Sequence, residues 1–311
     1  VTGTPDAVLP FEVKPLGVRG RVVRLGPVVD DILSRHDYPP SVSAVLAESI
    51  ALAALLGTTL KFDGKFILQT KTEGPLSMLV ADFQAPDGVR GVARFDKQAV
   101  ARLGPSPLHM HLLGEGYLAM TVDQGGTMER YQGIVALGKG TLADAAHEYF
   151  LKSEQIPTRL KLAAGPLQLR GEKAAHWRSG AILVQHLPRE GGASPLILSS
   201  GDAPEGTGEA VSEHDDWVKA RLLLDTVEPH ELLDPMLEPE ELLYRLYHED
   251  GVTVYPQTGL RRYCSCTAAA VGDMLRRFSP GDRADMVKDG QIEVVCEFCS
   301  SVYRFTPSQF A

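Results

Sequence analysis

All four cysteines of this chain lie in its last fifty residues, as Tyr263-Cys264-Ser265-Cys266 and Val295-Cys296-Glu297-Phe298-Cys299. Twenty-nine residues separate the pairs, room for a helix (Ala268 to Phe278), a polar turn and a strand (Gln291 to Val295) that fold the second pair back beside the first. Four thiolates brought together in this way suit the tetrahedral site that zinc prefers, with sulfur about 2.3 Å from the metal. Cys264, Cys266, Cys296 and Cys299 are therefore the candidate ligands of a single Zn.

The C-x-C spacing bears on what else these sulfurs can do. In an extended segment, residues i and i+2 face the same way about 6.6 Å apart, at about 3.3 Å rise per residue. A disulfide prefers a Cα separation of about 5.5–6 Å, so bridging Cys264 to Cys266 would distort the local backbone. Cys296 and Cys299 have the spacing of many reversible dithiols. Metal-bound and oxidised forms then cannot share one conformation. On the residues alone three readings stay open: a static structural zinc site, a metal-free C-x-x-C oxidoreductase, and a redox switch that loses zinc as disulfides form. The oxidoreductase leaves one cysteine pair unexplained and lacks a thioredoxin-like βαβ context.

What must position the cysteines is read from the rest of the chain. At 311 residues, with 44% hydrophobic and 23% charged content, it has material for two or three domains and a real core. Cysteines clustered at metal spacing, none scattered, point to a reducing compartment. With no signal-peptide pattern, a cytoplasmic location is expected. The apolar stretch Val42 to Leu60 is long enough for a membrane span, but Glu48 in its middle favours a buried core helix, opened by Pro40 at its first turn.

Strands are predicted at Val18–Leu25, Phe66–Lys71, Leu76–Phe83, Gly88–Phe95 and Ala181–His186, with a hairpin of Tyr117–Asp123 and Thr127–Leu137 around Gln124-Gly125-Gly126. Helices are predicted from Pro27 to about His36 and from Thr141, capped with Asp144, to about Ser153. Short connections make the sheet antiparallel. The fold class is α+β, with residues 1–200 an N-terminal core domain of mainly antiparallel sheet with packed helices.

Residues 189–208 are rich in Gly, Pro, Ser and Ala, a flexible connection. Between Asp202 and Asp250 there are fifteen Asp and Glu against three Lys and Arg, a local −12 within a net −9, so the remainder is +3. Residues 201–250 thus form an acidic helical linker, with short helices at Asp215–Asp225, Pro229–Leu233 and Pro239–Tyr247. None is long enough to be stable alone, so their order must come from what they pack on; if they dock partly on the terminal unit, residues 251–311, losing that unit's order would disorder them too. That unit is too small for a strong core, whereas structural zinc contributes roughly 10–16 kcal/mol in finger peptides. Arg261, Arg262, Arg276, Arg277 and Arg304, close in sequence to the cysteines, are either solvated surface charges or cations that temper the thiolates.

Several segments together carry a family resemblance: Tyr263-Cys-Ser-Cys266 and Ile292-Glu-Val-Val-Cys-Glu-Phe-Cys299, with Arg19-Gly-Arg-Val-Val-Arg-Leu25, His36-Asp-Tyr-Pro39, Gly74-Pro-Leu-Ser77, Tyr131-Gln-Gly-Ile-Val135, Tyr149-Phe150, Ser153-Glu-Gln-Ile-Pro-Thr158 and Leu246-Tyr-His-Glu249. Over nearly its whole length the chain resembles the thirty-three-kilodalton heat-shock protein family, the redox-regulated holdase chaperones of bacteria. The resemblance implies an ATP-independent chaperone, inactive with zinc on the four cysteines. Oxidation to disulfides, here Cys264 with Cys266 and Cys296 with Cys299, releases zinc and unfolds the linker. The active form, commonly a homodimer, then holds unfolding client proteins for ATP-dependent chaperones downstream.

Rival functions find less support. His147-Glu148 and His230-Glu231 lack the second histidine of a metal helix, no G-x-S-x-G elbow is present, and Gly138-Lys-Gly-Thr141 lacks phosphate-loop spacing, so an enzyme is not expected. The alternative from another class is a zinc-ribbon nucleic-acid binder with a static structural zinc. The acidic tract would repel phosphates, and no aromatic-basic interleaving suggests base stacking.

Overall fold

The computed structural model describes residues 5–59, 63–125, 130–138, 140–187 and 214–310. The predicted connection at 189–208 and the tip of the predicted hairpin at Gly126 lie outside them. In chain order come β1 (Ala7–Val13), β2 (Val18–Leu25), α1 (Pro27–Ser34), α2 (Pro40–Gly57), β3 (Lys65–Thr72), β4 (Met78–Gln84), β5 (Gly88–Arg94), α3 (Lys97–Arg102), α4 (His109–Leu113), β6 (Gly116–Asp123) and β7 (Tyr131–Leu137). Then follow α5 (Leu142–Tyr149), a π-helical turn at Phe150–Glu154, β8 (Thr158–Leu167) and β9 (His176–His186). The acidic tract holds α6 (Asp215–Asp225), α7 (Pro229–Leu233) and α8 (Pro239–Tyr247), followed by β10 (Thr253–Val254), β11 (Thr258–Gly259) and β12 (Arg261–Arg262). The chain closes with α9 (Ala268–Arg276), α10 (Pro280–Asp285), β13 (Val287–Lys288), β14 (Gln291–Val295) and β15 (Val302–Phe305).

The elements stack in four layers. One sheet runs β12-β5-β4-β3-β6-β7; a second runs β10-β1-β2-β9-β8, with β11 also on β1. Helix α2 lies between them, packed on β3, β4 and β5 on one side and on β2, β8 and β9 on the other. Being enclosed by two sheets explains why it is apolar on every face. Pro40 occupies its first turn, as predicted, and fourteen of its eighteen residues are buried. Its one charged residue, Glu48, has its carboxyl pushed up to about 8 by burial, and its Oε2 lies 3.5 Å from His109 Nδ1.

The fourth layer shows what the acidic helices pack on. Among the described residues they cover the outer face of the second sheet, and from the terminal unit Val252 packs beside them. Trp217, Leu224, Leu232, Leu243, Leu246 and Tyr247 bury against Phe11, Val13, Val18, Val22, Ile182 and Val184. Tyr247 Oη donates to the Ala220 carbonyl at 3.1 Å inside this interface. Gly180 makes the fit possible, since a Cβ there would come within 2.4 Å of the Leu232 carbonyl oxygen. The reason is area: two long strands offer an apolar face that the small terminal core cannot match.

The strand β8 was not anticipated, and β9 starts at His176 rather than Ala181. β8 runs Thr158–Leu167; Arg159 and Lys161 alternate with Leu160 and Leu162, but Ala163-Ala164 and the paired Gly165-Pro166 break that alternation inside the strand.

Candidate metal centre

The chain approaches the cysteines along the two sheets. β10 and β11 pair with β1, and β12 pairs in parallel with β5, Arg261 opposite Gly88. The Tyr263 amide then donates to the Val89 carbonyl at 3.0 Å. A Cβ at Gly88 would sit 2.9 Å from the Tyr263 ring, so glycine there lets the ring lie on the sheet edge. Cys264 and Cys266 follow in an irregular stretch, ended by Thr267, whose hydroxyl accepts from the Ala270 amide at 3.1 Å and starts α9.

The second pair forms the turn between β14 and β15. The Ser300 amide donates to the Cys296 carbonyl at 2.8 Å and the Cys296 amide to the Ser301 carbonyl at 2.9 Å. Ser300 takes a left-handed backbone, φ 55°, which tightens the turn and points Cys296 and Cys299 to the same side. Behind them, Leu275, Ile292 and Phe305 are the only members of the module's buried apolar cluster among the described residues.

The four sulfurs all lie within 4.8 Å of one another. Cys264 to Cys266 is 3.1 Å, Cys264 to Cys296 is 3.7 Å and Cys266 to Cys299 is 3.2 Å. Four sulfurs about 2.3 Å from one metal would be about 3.8 Å apart along a tetrahedral edge, whereas a disulfide bond is about 2.0 Å. The set fits a tetrathiolate metal site. Its electrostatics agree. Burial and the neighbouring thiols push Cys266 up to about 12, although the Tyr303 hydroxyl lowers it. Burial also opposes ionisation of Cys299, but Ser301 and the adjacent sulfurs outweigh it and bring that thiol to about 6. Burial thus holds the Cys266 and Cys296 thiols above their ordinary value, a penalty that a bound divalent cation would offset.

The surrounding cations differ from those expected. Arg261 pairs with Asp87, Arg262 with Asp31, Arg276 with Asp273 and Arg304 with Glu293. Two guanidiniums of β5 reach the module, and the first, Arg90, lies 3.8 Å over the Phe298 ring and 5.0 Å over Tyr263. Arg90 Nε donates to the buried Asp82 at 2.7 Å. Arg94 holds both Glu297 oxygens, at 2.7 and 2.8 Å. His36 Nε2 lies 3.3 Å from the Phe298 carbonyl, and its Nδ1 3.4 Å from Ser300 Oγ. The carbonyl requires a proton on Nε2, leaving Nδ1 to accept from the serine. Arg90, Arg94 and His36 lie over 200 residues from the second cysteine pair, and apart from the segment His36-Asp-Tyr-Pro39 nothing in their spacing signals that they meet it.

Fold and site together define a two-sheet α+β protein carrying a C-terminal four-thiol module. A family profile described as Hsp33 protein matches residues 6–306. The chain is 40% identical over 306 residues to the 33 kDa chaperonin of Caulobacter vibrioides strain NA1000 / CB15N, covering 97% of this chain and 95% of that one. It is 33% identical over 296 residues to that of Escherichia coli strain K12 / DH10B, covering 94% and 90%. The crystal structure of the 33 kDa chaperonin (heat shock protein 33 homolog) from Thermotoga maritima has the same fold, with TM-score 0.76 at 21% identity over 98% of this chain and 96% of that one. The chain belongs to the Hsp33 family, which are chaperones and not enzymes.

Proposed function

We propose that this protein is a redox-regulated, ATP-independent holdase whose zinc-bound, reduced form is inactive. Cys264, Cys266, Cys296 and Cys299 would hold the metal, which when bound neutralises the thiolates and fixes their positions. The parts are an N-terminal core domain, the acidic helical linker and the C-terminal module. The carrying observation is the path between them: the cover over the outer sheet face runs from Tyr247 through β10, β11 and β12 directly into Tyr263 and the sulfurs.

Oxidation pairs Cys264 with Cys266 and Cys296 with Cys299. Each disulfide forms from two thiolates with loss of two electrons, which hydrogen peroxide takes up together with two protons from solvent as its O–O bond breaks and it becomes two waters. Disulfide sulfurs no longer serve as thiolate ligands, and a module whose buried apolar cluster has three members among the described residues has little else to hold it. Loss of order at Tyr263 removes the anchor of β12, β11 and β10, and the short acidic helices then leave the sheet. The uncovered apolar face would hold unfolding clients in the cytoplasm, as a homodimer, until ATP-dependent chaperones take them.

The test follows zinc release with a chromogenic chelator beside light scattering of a denaturing client. Peroxide with mild heat, or hypochlorite, is expected to release one zinc per chain and switch on suppression together. Full suppression with zinc retained would refute the switch.

A further inference from the structure

We propose that the uncovered outer face of β1, β2, β9 and β8 selects client segments in which apolar side chains are flanked by carboxylates. This inference rests on the reading that the acidic helices leave that face on oxidation, and it names the substrate class the face would take.

The face has an apolar floor and a cationic margin. Phe11, Val13, Val18, Val22, Ile182 and Val184 form the floor. The register places Arg24 opposite Gly180, Lys161 opposite Ile182 and Arg159 opposite Val184, all on the outward side. Arg178, two residues from Gly180 on β9, shares that side by strand alternation. No Asp or Glu occupies an outward position among the described residues of these four strands. Asp6, just before β1, is already committed to the Gly26 and Val28 amides, at 2.6 and 3.1 Å.

The chain's own cover shows what this surface accepts. Residues 214–250 carry eleven Asp and Glu against three Lys and Arg. Arg159 Nε donates to Asp225 Oδ1 at 2.6 Å. Lys161 Nζ donates to the Asp225 and Val227 carbonyls, both at 2.6 Å, at the C-terminal end of α6. Arg24 donates to the Asp234 and Leu237 carbonyls at 3.2 and 3.4 Å, at the end of α7. These cations complement both carboxylates and the negative ends of helices. Among the described residues the cover does not saturate them: Arg24 Nε is buried without a partner, and Arg24 makes no direct carboxylate contact. An incoming acidic segment would find the same floor and unmet donors; a basic one would meet like charge.

The probe is a pair of fluorescent peptides, identical in apolar residues and length, with polar positions filled by Glu in one and Lys in the other. Their affinities for the oxidised full-length chain are read by anisotropy. The Glu peptide is expected to bind about tenfold tighter at low ionic strength, with the gap closing at about 0.5 M salt. A double variant, Arg159→Glu with Lys161→Glu, should reverse the preference. Equal affinities, or a preference for the Lys peptide, in an oxidised chain that still suppresses aggregation would overturn this inference and leave the holdase reading standing. An oxidised chain that suppresses nothing would bring down both.

Discussion

The α2 layer and the cysteine module are folded by different means. Among the described residues, forty-one buried ones form one apolar cluster between the sheets; in the module the corresponding cluster has three. The first region holds itself together through burial at about 25 cal/mol per Å². The second has four clustered thiols that could hold a metal ion, and under the proposed function it would depend on that metal and on ligands an oxidant attacks. A protein built this way would lose order at one end while its larger part stays folded, as the proposed conditional chaperone requires.

The largest effect should come from removing the metal centre. Cys296→Ser, or chelation of the wild type, forfeits a contribution on the order of 10–16 kcal/mol. Hydrogen exchange should show lost protection across residues 263–305 with the α2 amides unchanged. A module that stays protected would erase the contrast between the regions.

The second prediction sharpens the other side. Burial raises the Glu48 carboxyl to about 8 from 4.5, so the folded chain keeps a proton that the unfolded chain releases above 4.5. Stability of the sheet core should therefore fall as pH rises from about 4.5 to about 8, by on the order of 5 kcal/mol. Glu48→Gln should flatten that slope in urea unfolding while leaving zinc affinity alone. An unchanged slope would show that the buried carboxyl is not its source.

Smaller still is the seam between the regions. Phe298→Ala removes the ring beneath Arg90 and should cost about 1 kcal/mol, seen as faster exchange of the Tyr263 amide with the zinc site intact. The Arg94–Glu297 pair is more than half exposed on both sides. Glu297→Gln should change the same exchange rate by no more than a few tenths of a kcal/mol, and less in salt. If Glu297→Gln outweighed Phe298→Ala, the seam would be held by charge rather than by the stacked guanidinium.

What the sequence by itself determined follows from local chemistry. The cysteine spacing, Pro40 ahead of an apolar run, and the Thr141 cap with Asp144 are decided within a few residues, and the structure places all of them as read. The proline-punctuated acidic helices also appear where their apolar stripes put them. Tertiary structure decided what those elements touch. An amphipathic helix records that it buries a face, not which face it meets, so the acidic helices could be located but not their seat on β1, β2 and β9. Likewise Arg90, Arg94 and His36 reach the module only because β5 and the end of α1 form the edge along which β12 pairs, a proximity that no spacing along the chain encodes.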